Sequence, residues 1–160
     1  MTPTPEQVAP HMARFLDMLD AAIRRYGVPT TLNTTTPALP IAVLVADPDR
    51  SEAFYRDVLG LRKLYRFGDL CFFDCAGIRL FLDKVTDGKP VTPCGCIYFR
   101  CADIALTCAE LEGRGVRFAS PPHLIARMDD HDLWMAFFED PDGHTLAVMQ
   151  EAPKGYLPPK

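Results

Sequence analysis

The chain has 160 residues, 48% of them apolar and 24% charged, with a formal net charge of −4. That length suits one domain with a single sizeable core, and that balance excludes a disordered chain. Its 17 Lys and Arg residues, among them Arg24, Arg25, Arg62, Lys63 and Arg66, are scattered among acids, which argues against the clustered cations that nucleic acid demands and favours a small-molecule partner.

The N-terminal stretch places Val8, Met12, Phe15, Leu16, Leu19, Ile23 and Tyr26 at helical spacing, which predicts one amphipathic helix over 5–26, ended by Gly27 and Pro29. Residues 28–39 carry prolines and threonines without period and read as an extended linker. Such a helix is marginal alone, so its stripe needs a surface to lie on, either the main domain or a second subunit. Glu6, His11, Arg14 and Asp17 interrupt any apolar run there, so no signal peptide is expected. The longest apolar runs, 41–46 and 133–138, are far short of the roughly 20 residues that cross a bilayer, so no membrane partner is expected either. Without export, the six cysteines are expected as reduced thiols in the cytoplasm.

From Pro40 onward the sequence repeats itself. Ile41-Ala-Val-Leu-Val-Ala-Asp47 matches Ile97-Tyr-Phe-Arg-Cys-Ala-Asp103, each a strand with alternate apolar residues closed by a helix-capping Asp. A helix follows in each half, over 51–59 ending at Gly60 and over 104–113 ending at Gly113 and Gly115. Two strands joined by a tight turn come next, 72–81 around Ala76-Gly77 and 137–147 around Asp142-Gly143. Residues 121–132, polar and longer than their counterpart, read as a candidate lid.

The expected fold class is therefore α+β: two tandem βαβββ modules, about 40–90 and 91–151, forming a cup-shaped, partly closed mixed sheet with helices outside. The N-terminal helix and a tail over 152–160 flank it. Strand parity turns Val43 and Val45 toward the helices and Leu44, Arg79, Phe81, Cys96, Tyr98, Arg100, Ala147 and Met149 into the cup. One of Trp134 and Met135 faces the cup, and Trp134 is a candidate stacking wall. Arg79 and Arg100 suit an anion, or else reach into water or pair with acids such as Asp74 and Asp83, while the acidic surface favours a cation; the sequence leaves these open.

Together VADPDRSEAFYRDVLGL (45–61), CADIALTCAELEGRGV (101–116) and FFEDPDGHTLAVMQE (137–151) resemble the vicinal oxygen chelate superfamily, which includes glyoxalase I, extradiol dioxygenases, methylmalonyl-CoA epimerase and bleomycin-resistance proteins. The resemblance implies a divalent metal held at four strand positions. These fall on Pro40, Phe81, Cys96 and Ala147, of which only Cys96 has a donor atom. The expectation is accordingly no metal and no cofactor, and reversible sequestration of a small, partly apolar molecule, in the manner the resemblance implies for bleomycin-resistance proteins.

Other readings stand beside it. An enzyme could use relocated metal ligands, His123, His131 and Cys96, or metal-free acid/base chemistry, with Asp129 and Asp130 beside His131. Cys96 could be a nucleophile or, with Cys71, Cys75 and Cys94, a zinc site, although a small apolar lining residue is the default. His144 reads as turn chemistry. A homodimer is expected because the N-terminal stripe and the sheet edges need partners, and the helix over 5–26 could itself be the working part of an interaction module.

Overall fold

The structure, a computed structural model, describes residues 40–86, 89–93 and 95–159. The N-terminal helix and linker expected over 1–39, and Cys94, lie outside the described residues.

The first module runs β1 (Ile41–Val45), α1 (Pro48–Ala53), β2 (Arg62–Phe67), β3 (Leu70–Cys75) and β4 (Ile78–Lys84). The second runs β5 (Cys96–Arg100), α2 (Ile104–Gly113), β6 (His123–Arg127), β7 (Asp132–Glu139) and β8 (Thr145–Ala152). Each module forms its own four-stranded sheet, in the order β1-β4-β3-β2 and β5-β8-β7-β6, with the first strand parallel to the last and the others antiparallel. The registers repeat as the sequences do, Ile41 opposite Leu80 and Ile97 opposite Leu146.

Both helices start where an Asp ends a strand. Asp47 Oδ1 accepts from the backbone N–H groups of Asp49 and Arg50 at 3.0 and 3.2 Å, and Asp103 Oδ1 accepts from Leu106 at 3.0 Å. After Ala53 the first helix widens into a π-helical turn, Phe54–Val58. That turn carries Tyr55, not Phe54 or Val58, to the fully buried position. The β3–β4 turn has positive φ at both Ala76 and Gly77, the geometry of a two-residue hairpin whose twist suits its strands. Asp74 steadies it by accepting from Gly77 N–H at 2.9 Å.

The core lies on the helix side of both sheets as one cluster. Val43, Val45, Phe73, Leu80 and Leu82 from the first sheet join Ala136, Phe138, Leu146 and Val148 from the second, with Tyr55, Ile104, Cys108 and Leu111 from the helices. The alternation along β7 and β8 follows from one face being buried and the other open. The candidate lid needs correction: residues 123–127 are strand β6, paired to β7, because Leu124 turns toward the core while its neighbours stay exposed.

Two polar contacts anchor the packing. Tyr55 donates its buried hydroxyl to Asp140 Oδ2 at 2.9 Å, tying the first module's helix to the second module's β7–β8 turn. Burial and then the Asp140 carboxylate push the Tyr55 phenol well above its ordinary range, so it remains the donor throughout. Glu52, almost wholly buried, accepts from Lys63 at 2.6 Å, Arg56 at 2.8 Å and Arg66 at 3.1 Å, fastening edge strand β2 to α1. Burial works against its charge, but hydrogen bonds from Lys63, Cys71 and Arg66 outweigh it and hold the carboxyl below its usual range.

Replacing Tyr55 by Phe strands an Asp140 oxygen and is expected to cost about 2 kcal/mol in urea unfolding, with the transition remaining single because the core is shared. Glu52→Gln is expected to cost a similar amount at pH 7, about 2 kcal/mol. Since the folded pKa is depressed, that stabilisation is complete above the unfolded value of about 4.3 and fades as pH falls through the folded one. The gap between wild type and Glu52→Gln should therefore close on acidification, as unfolding curves taken from pH 7 down to pH 3 would show.

Candidate functional site

The face of each sheet turned away from the helices carries the expected cup residues, placed on it by strand register; Leu44, Tyr65 and Tyr98 there are exposed, while Phe72, Phe81 and Ala147 are buried. In the first sheet Ala42 lies opposite Phe81, Phe81 opposite Phe72, and Phe72 opposite Tyr65. Tyr65, Phe72 and Phe81 form a stacked ladder with ring centroids 4.5 and 5.3 Å apart. Leu44 and Arg79 share this face and are exposed. Arg79 has no hydrogen-bond or ion-pair partner among the described residues, because the acid opposite it, Asp74, is taken by Arg62 at 2.7 Å.

In the second sheet one row runs Tyr98, Ala147, Phe137 and the next Arg100, Met149, Met135, His123. Tyr98 and Phe137 meet edge to face at 6.5 Å across Ala147, whose small side chain lies fully buried between them. The His123 ring flanks Phe137 at 6.0 Å. Arg100 is paired with Glu151 at 2.7 Å and is not a free anion anchor.

Trp134 does not line this face. It is 8% exposed and packed in the core, edge-on to Tyr156 at 6.1 Å, and Met135 takes the open side opposite Met149. The reason is the period of two along β7: Ala136 and Phe138 belong to the core, so Trp134 must as well.

Where the modules adjoin, β1 and β5 are not hydrogen-bonded to each other. Between them lies a pocket of about 350 Å³, walled by Ile41, Ala42 and Val43 on one side and by Gly95, Cys96, Ile97 and Tyr98 on the other, with His144 and Thr145 at one end. Tyr98 is half exposed, and its contact with the Cys96 side chain holds the phenol above its usual range. His144 is the residue the sequence undervalued. Its backbone does serve the turn, its N–H donating to Asp140 Oδ1 at 2.9 Å, but its ring crosses to the first module and hydrogen-bonds the Leu44 carbonyl at 2.7 Å. Only its position straight after a turn glycine, leading into a strand, hinted at this.

The four positions that the family resemblance assigns to a metal do not fit one. Pro40, Phe81 and Ala147 offer no side-chain donor, and Phe81 and Ala147 are buried under aromatic neighbours. A single thiol, Cys96, falls short of the three or more protein ligands a catalytic divalent ion requires. The alternative ligands are not gathered either. His131 pairs with Asp130 at 2.7 Å, His123 Nδ1 lies against Pro121 O at 3.2 Å, and no group of three His, Cys, Asp or Glu among the described residues is placed to hold an ion. Cys71 turns to the helix side, toward Glu52 at 3.3 Å, and so does not join Cys96.

The sequence profile of the Glyoxalase/Bleomycin resistance protein/Dioxygenase superfamily matches residues 38–148, and the chain belongs to that superfamily. Solved structures share the fold. A lactoylglutathione lyase from Agrobacterium tumefaciens superposes with a TM-score of 0.59 at 21% identity, over 80% of this chain and 98% of that one. A member of the superfamily from Sphaerobacter thermophilus gives 0.60 at 22% identity, over 76% and 100%, and one from Nocardioides gives 0.59 at 18%, over 89% and 98%. No functionally curated protein matches the chain.

The thiols differ enough for a direct check of the pocket. Burial pushes Cys71 and Cys108 up to about 11, which leaves both thiols protonated at pH 8, whereas Cys96 is partly open within the pocket. Native protein treated with iodoacetamide at pH 8 should be alkylated at Cys96 well before Cys71 or Cys108, as read by tandem mass spectrometry of the peptides.

Proposed function

We propose that this chain binds a small, partly apolar molecule reversibly on the open face of its sheets and that it does so without a metal. The observation that carries this reading is the chemistry at the four family metal positions: Pro40, Phe81 and Ala147 have no side-chain donor atom, and aromatic rings pack at two of them, Phe72 on Phe81 and Tyr98 with Phe137 about Ala147. Tyr98, Phe137, Met135 and Met149 then present an apolar and aromatic surface of the kind that binds by burial and stacking. The reading sides with ligand sequestration within the superfamily and against its metal-dependent chemistry, because the donor set cannot supply a Lewis acid.

The proposal includes a homodimer in the cytoplasm. Edge strand β2 exposes Tyr65 and Phe67, the latter 71% accessible, and such an edge calls for a partner. The described cysteines are all free, which suits a reducing compartment. A second reading, metal-free acid/base catalysis, draws on His123. Its Nδ1 lies between the Pro121 carbonyl at 3.2 Å and the Ser120 hydroxyl at 3.3 Å, and its ring flanks Phe137 on the binding face, within reach of a bound molecule.

Equilibrium binding of the dye Nile red to the full chain tests the main reading. Affinity should be unchanged after exhaustive chelation, and Tyr98→Ala and Met135→Lys should each weaken it about tenfold or more while leaving the circular dichroism spectrum intact. Stoichiometric zinc, nickel, iron or manganese whose removal abolishes binding would overturn it, as would dye affinity indifferent to both substitutions.

A further inference from the structure

The pocket between β1 and β5 has a chemical character of its own. Among the described residues its lining contains no Asp, Glu, Lys or Arg, and its polar groups there are the Cys96 thiol, the Tyr98 and Thr145 hydroxyls and the His144 ring. A charged group entering it would give up water without meeting an opposite charge, which is strongly unfavourable. The two cations nearest in register are elsewhere engaged or outside: Arg100 is held by Glu151, and Arg79 is not part of the lining.

His144 sets the remaining requirement. The imidazole is 4% exposed, and its Nε2 lies 2.7 Å from the Leu44 carbonyl oxygen. A carbonyl oxygen cannot donate, so Nε2 carries the hydrogen and donates it. In the neutral ring Nδ1 is then a bare acceptor, and among the described residues nothing donates to it. The bond to Leu44 fixes the ring plane, and the backbone is clamped through Asp140 at 2.9 Å, so the ring is not free to turn away. An acceptor on a largely buried ring, unmet among the described residues and not itself sealed from solvent, beside a pocket whose described lining carries no charge, is a recognition element for a donor that comes from outside.

We propose that this pocket takes the uncharged, planar end of the ligand and that an N–H or O–H group on that end donates to His144 Nδ1. The inference rests on the reading that the open face binds small molecules, and it names the class: neutral aromatic or heteroaromatic hydrogen-bond donors, not carboxylates and not cationic drugs. The ring lies between the β1 side chains and Tyr98, with the Cys96 thiol beside it as a soft, polarisable contact. His144 is thus a specificity-determining residue of the site.

The test uses the full-length chain and three probes of one shape at pH 8: indole, benzofuran, in which a ring oxygen replaces the N–H, and indole-5-carboxylate. Ligand-observed NMR titration should find indole bound about tenfold more tightly than benzofuran, the usual effect of one hydrogen bond to an acceptor on a largely buried ring, with the carboxylate weakest. In His144→Ala the preference of indole over benzofuran should vanish, whatever the affinities become. Ala42→Phe, which fills the pocket from an exposed strand position, should abolish indole binding with the fold retained, and indole should slow alkylation of Cys96 in the wild type. Equal binding of indole and benzofuran, or a preference that survives His144→Ala, overturns the role of His144. If that equal binding is still lost in Ala42→Phe, the apolar site stands without it. Failure of all three probes overturns the inference, and Nile red affinity then separately decides the broader reading.

Discussion

Two sheets that share no backbone hydrogen bonds have to be held in register by something else, and in this molecule it is the turn between β7 and β8. Asp140 organises that turn, one oxygen accepting from the backbone of Asp142 and His144 and the other from Tyr55 of the opposite module. Asp142 then accepts from Ala46 N–H, Arg50 and Ser51, and His144 reaches Leu44. These bonds grip the end of β1 and the start of α1, the point at which the first module could otherwise pivot. A buried carboxylate satisfied on both oxygens is costly to disturb, since any movement strands a charge away from water. The common core resists separation, while the clasp resists rotation and so sets the width of the pocket between β1 and β5.

The same constraint explains how the superfamily's metal positions could change without loss of the fold. The positions that the resemblance assigns to metal ligands lie on the face away from the helices, whereas the clasp and the core occupy the other side and the strand ends. Replacing donors by Phe81 and Ala147 asks nothing of the helix-facing residues. It lets a ring ladder form in one sheet, and it lets Tyr98 and Phe137 close over a small residue in the other. In both sheets aromatic packing occupies positions where the resemblance would place metal ligands.

Much of the fold was legible because one buried face imposes a period of two. Val43 and Val45, and Leu146 and Val148, reveal the orientation of their strands, and the paired motifs ending in Asp47 and Asp103 reveal the repeat. The period fails as a guide where both neighbours are apolar. Trp134 and Met135 are indistinguishable by hydrophobicity, and only the register of β7 against β8 separates them. Strand β6 was hidden because one core residue, Leu124, among polar and exposed ones makes too weak an alternation. Tyr55 was hidden by the π-helical turn, which shifts the helical period, and the ring of His144 by its long reach of 100 residues along the chain to Leu44. Sequence pattern reports local periodicity; side-chain bonds between distant elements leave no periodic trace.

The two modules are alike in register and unlike in their turns, and the asymmetry has a consequence for binding. Ala76-Gly77 is as short as a hairpin turn can usefully be, and it carries no side chain able to reach a neighbouring sheet. Its counterpart over 140–144 has room for two carboxylates and an imidazole that do. Among the described residues His144 and Thr145 come from that turn and the strand it starts, and no residue of the Ala76-Gly77 turn lines the pocket, so the pocket has direction. A ligand entering it meets an acceptor on one side only. Polar groups at one end and apolar walls along the rest would orient a small molecule bound there as proposed.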